Sequence, residues 1–224
     1  MVRTPSFRTR MLRTSAGAER LLVELDGPEL RWFEALVRPT VPAVERSLAS
    51  GVLANRVGPR GPVPIGPARA RWDRTLAAGA ARPGLVVVRS DVRRCYASIT
   101  SAAVEAGLRR AGVGGPGRAR ISSFLDGLRR AGIDGLPVGP PPSAMLANAG
   151  LAIADDAVRA EGVAHLRWVD DVAFIGDRRA VRRAFVAWRG ALADLGLAVH
   201  DGKTGPWRVT FSGGPSSACH DAAP

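Results

Sequence analysis

The sequence predicts an α+β domain, in which helices cover one face of a short antiparallel sheet. Three observations support this prediction. Of the 224 residues, 46% are hydrophobic, which is enough to form a core. Apolar residues recur at helical spacing in residues 28–51 and 69–78. From residue 85 onward strands and helices follow one another, an order typical of helices packed on one face of an antiparallel sheet.

The elements of the first part follow from local patterns. Residues 28–51 predict two short helices, which Pro39 and Pro42 separate. Residues 85–88 are an apolar, β-branched run just before Asp91, as expected of a buried strand. Further helices are predicted at residues 69–78, 102–111 and 119–131, and after Ser143, which can cap its helix.

Strands predominate in the last third. They are predicted at residues 163–169 and 172–175, with shorter ones at 197–199 and 207–211. The first two meet at Asp170 and Asp171. Asp177 can cap the amphipathic helix that follows, and Gly196 can end it.

The composition points to an anionic partner outside the membrane. The net charge of +12 favours nucleic acid as that partner. The best apolar stretch, residues 144–154, is too short to span a bilayer and predicts a buried helix. The first twenty residues are basic and have no apolar signal region. Cys95 and Cys219 make no disulfide framework, so a cytoplasmic protein without membrane contact is expected.

Three carboxylates form the candidate chemical site. Asp170 and Asp171 lie between two apolar strands, and as a turn dipeptide the pair is weak. Alone, the pair fits a solvated turn as well as a metal site. Asp91, at the end of another strand, would complete an oxygen-rich pocket suited to Mg²⁺ or Mn²⁺. Two such ions can clamp the attacking and leaving oxygens of a phosphoryl displacement.

Four segments carry a resemblance to a known family. They are residues 89–99 (RSDVRRCYASI), 135–148 (GLPVGPPPSAMLAN), 168–171 (WVDD) and 195–204 (LGLAVHDGKT). In this order they resemble the palm motifs of reverse transcriptases, the RNA-directed DNA polymerases, of the bacterial type. The resemblance covers roughly residues 85–204. It implies a polymerase palm with a small helical fingers region.

The resemblance also implies roles for the acids and for the single tyrosine. Asp91 and Asp170 would be direct ligands of two Mg²⁺ ions, together with the backbone carbonyl of Val92. Asp171 would be a less essential ligand, or an acid that stabilises the turn. Tyr96 would lie under the sugar and exclude a 2′-hydroxyl, which favours deoxynucleotides. A core tyrosine is the alternative interpretation.

Lys203 is the only lysine of the chain. A leaving pyrophosphate needs a proton donor, and lysine can be tuned to donate a proton whereas arginine cannot. The lysine falls where the family has its candidate general acid. Chance placement is the alternative.

Three further residues are candidates for nucleotide binding. The absence of a side chain at Gly139 would let the backbone approach a base pair closely. Ser143 could bond the nascent pair or cap its helix, and Asn148 has the same alternatives. Arg56 could bind the incoming triphosphate, since a guanidinium suits phosphate oxygens, or could be an exposed surface arginine.

The resemblance suggests a domain organisation. Residues 1–20 would be a basic flexible tail, 21–84 partial fingers, 85–212 the palm and 213–224 a C-terminal tail, without a thumb. A protein partner or an oligomer would then have to supply the duplex clamp. Trp168, Val169 and Val138 replace a tyrosine, an alanine and a polar residue of the family motifs, but none of these changes removes a metal ligand.

The leading functional hypothesis is an RNA-directed DNA polymerase of bacterial defence or of a retroelement. It would use an RNA template, a DNA or protein primer, and dNTPs. The rival hypothesis is a catalytically silent palm remnant that binds nucleic acid or a protein partner. A palm-fold nucleotide cyclase fits the fold but not the second motif.

Overall fold

The computed structural model of the protein describes residues 5–13 and 19–206. Its N-terminal part contains two antiparallel strand pairs and three α-helices, which are 11, 7 and 17 residues long. The strands are β1 (Phe7–Arg13), β2 (Glu19–Leu25), β3 (Val57–Gly58) and β4 (Gly61–Pro62). The helices are α1 (Gly27–Val37), α2 (Val41–Ser47) and α3 (Ile65–Ala81), with a 3₁₀ turn at Arg38–Thr40.

The second part contains the main sheet. Its strands are β5 (Val86–Asp91), β6 (Ala164–Trp168), β7 (Asp171–Gly176) and β8 (Gly205–Pro206). Its helices are α4 (Cys95–Ser98), α5 (Ser101–Arg110), α6 (Gly115–Arg130), α7 (Pro141–Ala160) and α8 (Arg178–Asp194). A 3₁₀ turn at Asp201–Lys203 precedes β8.

The main sheet is antiparallel, with the strand order β6-β7-β5-β8. The α+β class and the antiparallel sheet were predicted correctly. Both faces of the central strand β7 are buried, because its apolar residues follow one another without alternation. Val172 and Phe174 belong to the larger core with residues of α7 and α8.

The second face of the sheet departs from the prediction that helices cover only one face. Ala173 and Ile175 pack in a smaller cluster with Trp72 and Leu76 of α3. Since α3 lies on the face opposite α7 and α8, it shields the apolar half of that face.

The N-terminal hairpin also departs from the prediction. Strands β1 and β2 pair from Phe7 with Leu25 to Arg13 with Glu19, in a region where a flexible tail over residues 1–20 was expected. Val23 is buried, and its amide donates to the Val138 carbonyl at 2.8 Å. This long-range anchorage, which local composition does not reveal, holds the basic strand in place.

The helix boundaries test several predictions. Asp177 caps α8 by accepting hydrogen bonds from two backbone amides, as predicted, and α8 stops just before Gly196, whose φ is +75°. Ser143 does not cap α7. That helix begins at Pro141 after Pro140, because proline suits the first turn.

Two predicted strands have different outcomes. Residues 197–199 do not form a strand, and only an isolated bridge joins Val199 to Val92. The strand predicted at 207–211 and the tail at 213–224 lie outside the described residues. In the ranges that are described, no helix combines the length and apolarity needed to cross a membrane.

Candidate active site

The three predicted acids lie together at one end of the main sheet. Strand β5 ends at Asp91 and strand β7 begins at Asp171, and these two residues are directly paired across the strands. Asp170 lies in the two-residue turn between β6 and β7. The Val92 amide donates to the Asp170 carbonyl at 3.1 Å, which joins the turn to the end of β5. Strand pairing therefore brings together the acids that are far apart in sequence.

Burial and mutual repulsion set the protonation of Asp170. Burial, followed by the charges of Asp91 and Asp171, raises the pKa of Asp170 from 3.8 to about 6. Burial also raises the pKa of Asp171, although the Arg89 guanidinium opposes that rise. The site thus concentrates negative charge and would gain from a cation.

Lys203 reaches the same site from the other end of the chain. Its Nζ lies 2.9 Å from Oδ2 of Asp91, and the lysine side chain is 55% exposed while that of Asp91 is 6% exposed. The His200 amide donates to the Asp91 carbonyl at 2.8 Å and places the turn that carries the lysine. Burial would lower the pKa of Lys203, but the hydrogen bond and charge of Asp91 outweigh it and raise that pKa. The lysine is therefore protonated and available as a donor.

Arg89 is a site residue that the sequence reasoning did not identify. Its Nη2 lies 3.3 Å from Oδ1 of Asp171, and its guanidinium lies 5.7 Å from the centre of the Trp72 ring. Asp171 is accordingly engaged by an arginine, unlike the other two acids. Arg89 lies two residues before Asp91 and therefore on the same face of the sheet, and this spacing is the sequence signal that could have identified it.

Tyr96 lies directly beyond the turn that follows Asp91. The turn contains Arg94, whose φ is +49°, and Tyr96 is the second residue of α4. Burial, with the charges of Cys95 and Asp170, raises the pKa of the Tyr96 phenol, so the hydroxyl stays protonated. The role of Tyr96 in excluding a 2′-hydroxyl stays a prediction.

The first and second motifs contact each other directly. The Leu136 amide donates to the Tyr96 carbonyl at 2.7 Å. A Cβ on Gly135 would lie 2.2 Å from that carbonyl oxygen, and the glycine has φ +64°. Glycine is therefore required at residue 135 for the loop to pack against Tyr96.

Gly139 approaches protein backbone in this structure. Its φ is +123°, and a Cβ there would lie 3.1 Å from the Val23 carbonyl oxygen on the N-terminal hairpin. The neighbour that Gly139 approaches closely is strand β2 of the protein itself, and an approach to a base pair stays a prediction. Ser143 is buried in the first turn of α7, and its Oγ has no hydrogen-bond partner among the described residues. Binding of a nucleotide by either residue stays a prediction.

Arg56 contributes to the internal structure of the predicted fingers. Its Nε lies 2.7 Å from Oε2 of Glu45, and its Nη1 donates to the carbonyl of Val52 at 2.8 Å. These bonds hold the guanidinium in place. A contact of Arg56 with a triphosphate stays a prediction.

Asn148 and Arg167 form a second, fully buried polar group. The Asn148 Oδ1 accepts a hydrogen bond from Arg167 at 2.9 Å, and its amide nitrogen donates to the Ala54 carbonyl at 3.1 Å. Asn148 lies inside α7 and therefore does not cap a helix, while its contact with a nascent base pair stays a prediction. An arginine inside an apolar strand pattern was the available sign that Arg167 has a buried partner.

The protein side chains supply only some of the oxygen ligands that a hard divalent cation needs. Over residues 5–13 and 19–206, no three histidine, cysteine or acidic side chains form a group that could enclose a metal ion. Asp91 and Asp170 are two closely placed carboxylates in surroundings that raise the pKa of Asp170, whereas Asp171 pairs with Arg89. Two carboxylates with backbone and substrate oxygens suit Mg²⁺, which seldom has an all-protein cage.

Comparison with known proteins shows the fold. No protein-family model matches the chain, and no curated protein matches it. The structure of apo telomerase from Candida tropicalis, truncated from the C-terminal domain, is similar over 91% of this chain, with a TM-score of 0.62 and 12% sequence identity. This chain covers 50% of that telomerase chain, so it spans about half the length of its structural neighbour. At this identity the likeness shows the fold alone: the chain has an α+β fold like that of this telomerase.

Proposed function

We propose that the protein is an RNA-directed DNA polymerase that transfers nucleotides from dNTPs to a primer end. The observation that carries this proposal is the convergence of Asp91, Asp170 and Lys203 at one end of the sheet, on a fold like that of telomerase. The bacterial type, and a role in defence or in a retroelement, belong to the proposal and rest on the motif of residues 135–148.

Each residue has a role in this proposal. Asp91 and Asp170 would hold Mg²⁺, with the Val92 carbonyl as a further ligand and Asp171 as a secondary one. When bound, the metal supplies charge neutralisation for the phosphates and the leaving group. The oxygen of the primer 3′-hydroxyl would form a bond to the α-phosphorus of the dNTP and lose its proton to solvent, while the bond from that phosphorus to pyrophosphate breaks. Lys203 donates a proton to the departing pyrophosphate.

Sugar selection would depend on Tyr96, which lies between the acids and the loop of residues 135–140. Gly139, Ser143 and Arg56 are the proposed contacts for the nucleotide, and an RNA strand would serve as template. The primer would be the end of a DNA strand or the hydroxyl of a protein.

A polymerase assay tests the proposal. Purified protein, Mg²⁺, an RNA template and labelled dNTPs should give DNA with at least one primer type, including none. Asp170→Asn should lower the rate at least about 10³-fold, because a direct metal ligand is lost. Asp194→Asn, which removes a carboxylate at the exposed end of α8, is the matched control and should keep full activity. Absence of product with every primer would contradict the proposal.

The silent binding module remains the second candidate. The observation that favours it is the internal pairing of Asp91 with Lys203 and of Asp171 with Arg89, which compensates two of the acids without metal. Mg²⁺ and Mn²⁺ separate the two candidates, since a ligand of the folded state raises the melting temperature. Stabilisation that Asp170→Asn abolishes would favour the enzyme, and an unchanged melting temperature would favour the module.

A further inference from the structure

The side chain of Arg167, on strand β6, is buried and makes all its hydrogen bonds to other groups of the protein. It is 1% exposed, and so is Asp155 on α7. Its Nε and Nη2 donate to the Asp155 carboxylate at 2.9 to 3.0 Å. Its Nη1 donates to Oδ1 of Asn148 at 2.9 Å and to the carbonyl of Val169 at 3.1 Å. A buried ion pair of this kind often adds little to the stability of the folded state, which leaves room for a role in positioning its neighbours.

The carbonyl that Arg167 binds belongs to the turn that carries Asp170. Val169 has φ +56°, in the left-handed region that a β-branched residue rarely adopts. Such a conformation costs about 1–3 kcal/mol and persists only when neighbouring contacts hold it. The hydrogen bond from Arg167 is a contact of that kind. Because Asp170 is the next residue, the conformation of Val169 decides where its carboxylate lies.

The same group also holds the segment before Arg56. Asn148 donates to the carbonyls of Ala54 and Asn55 at 3.1 and 3.3 Å. The Arg167 backbone amide donates to the Gly51 carbonyl, and its carbonyl accepts from the Leu53 amide, both at 2.9 Å. Residues 51–55 are therefore bound to strand β6 by main-chain bonds and to helix α7 by a side chain.

His165 completes the surroundings of Asp155. Its Nε2 lies 3.4 Å from Oδ1 of the carboxylate, in a geometry that falls short of a hydrogen bond. Burial would raise the pKa of Asp155, but the charge and hydrogen bonds of Arg167, together with the neighbouring His165, outweigh it and lower that pKa. The carboxylate is thus ionised and holds the arginine fork in one orientation.

We propose that Arg167, Asp155 and Asn148 form a buried positioning unit, which fixes the Val169 turn and hence sets Asp170 relative to residues 51–56. The inference rests on the proposed function, since it describes how a metal-binding acid and the predicted fingers keep their relative placement. All three are buried, each about 1% exposed, and act through the Val169 turn, so each is a positioning residue. Loosening the unit displaces Asp170, which weakens cation binding and slows the chemical step, while nucleotide binding changes little.

The variant Arg167→Lys tests the unit with little change in charge. A lysine can pair with Asp155, but a single ammonium cannot reproduce the planar fork that also reaches Asn148 and Val169. Loss of a contact that orients a metal ligand typically lowers metal affinity or activity by about 10–100-fold. We expect kcat to fall by about that factor, the KM for dNTP to stay within about threefold, and the dissociation constant of Mn²⁺ to rise about 10–100-fold. Binding of Mn²⁺ alone is measured by electron paramagnetic resonance and needs no activity.

Arg110→Lys is the matched control. Arg110 also binds an aspartate of α7, Asp156, through two nitrogens, and it donates to the Ser47 carbonyl at 3.1 Å. Within the part of the chain that the structure describes, its side chain has no hydrogen bond to the Val169 turn. This variant should keep the wild-type kcat and Mn²⁺ affinity.

A double variant separates positioning from folding. Replacing both members of a buried ion pair with apolar residues is often neutral or stabilising, so Arg167→Met with Asp155→Leu should keep a melting temperature near that of the wild type. It should nevertheless show the same losses as Arg167→Lys. A folded variant with wild-type kcat and Mn²⁺ affinity would overturn the inference, and so would failure of both variants to fold, which would assign Arg167 a purely structural role. A wild-type protein that makes no DNA would overturn the proposed function, while the Mn²⁺ measurements would still decide the inference.

Discussion

At the scale of single residues, the acids at the end of the sheet differ in their charged neighbours. Asp91 contacts Lys203 and Asp171 contacts Arg89, while Asp170 is buried next to both acids. Burial and the two neighbouring acids therefore disfavour the charged form of Asp170, and a bound cation would relieve that cost. Two predictions belong to this scale.

Stability without metal should depend on pH through Asp170. The pKa of its carboxyl is raised to about 6, so the folded state binds the proton more tightly than the unfolded state does. The destabilisation, about 3 kcal/mol, is complete above the folded pKa and disappears as the pH falls towards the ordinary value. In the presence of a chelator, lowering the pH from 7 to 5 should recover about 1 kcal/mol, or about 2–4 °C of melting temperature. The melting temperature of the variant Asp170→Asn should rise less between pH 7 and pH 5. An equal rise would show that Asp170 is not the group responsible.

Tyr96 should select deoxynucleotides through its ring and not through its hydroxyl. Tyr96→Ala should lower the preference for dNTPs over ribonucleotides by at least about tenfold in kcat/KM, because the ring no longer blocks the 2′-hydroxyl. Tyr96→Phe keeps the ring and is the control that should retain the preference. Unchanged sugar selection in Tyr96→Ala would remove the residue from this role.

At the scale of elements, the N-terminal hairpin and the loop of the second motif act together. The Val23 amide donates to the Val138 carbonyl, and Gly139 lies against the Val23 carbonyl. The same loop packs on Tyr96 through Gly135 and Leu136. A strand from the beginning of the chain therefore supports the loop next to the proposed nucleotide site.

Gly139→Ala should weaken this contact between hairpin and loop. A Cβ would meet the Val23 carbonyl oxygen at 3.1 Å, and the φ of +123° is strained for alanine, so we expect a loss of about 1–3 kcal/mol. Gly190→Ala is the control, since this residue of α8 has open space around it and alanine favours helix by about 0.5–1 kcal/mol. Melting temperatures and hydrogen exchange of the Val23 amide measure both variants. Undiminished protection of that amide in Gly139→Ala would show that the contact does not hold the hairpin.

At the scale of the whole molecule, the basic charge favours a polyanionic partner such as nucleic acid. The chain has a net charge of +12 and a fold like that of telomerase over 91% of its length. A basic protein that binds nucleic acid through phosphates releases counterions on binding, and its affinity therefore falls steeply with salt.

Binding of an RNA–DNA hybrid should fall with salt in the manner of phosphate contacts. If about six phosphates are contacted, affinity should fall about 10³-fold between 50 and 200 mM salt, as fluorescence anisotropy can measure. Asp170→Asn should bind with the same salt dependence, since the variant changes the site of chemistry and not the basic surface. Affinity that salt leaves unchanged would argue against nucleic acid as the partner.

Local patterns were sufficient for the main helices, for strands β5 to β7 and for the positions of the three acids at their ends. The apolar run before Asp91 and the two strands around Asp170 and Asp171 are local features, because strand formation by such runs depends on neighbouring residues. The cap at Asp177 was equally predictable, since a capping side chain bonds amides two and three residues away. The class of fold followed from these elements, whereas the four motifs rest on the resemblance to reverse transcriptases.

Only the folded chain decided which charges meet and which faces are covered. The contact between Asp91 and Lys203 spans 112 residues, and that between Arg89 and Asp171 spans 82. Such pairs depend on strand register and helix packing, which no local window contains. For the same reason, the anchored hairpin, helix α3 on the second face and the partners of Arg167 became apparent only in three dimensions.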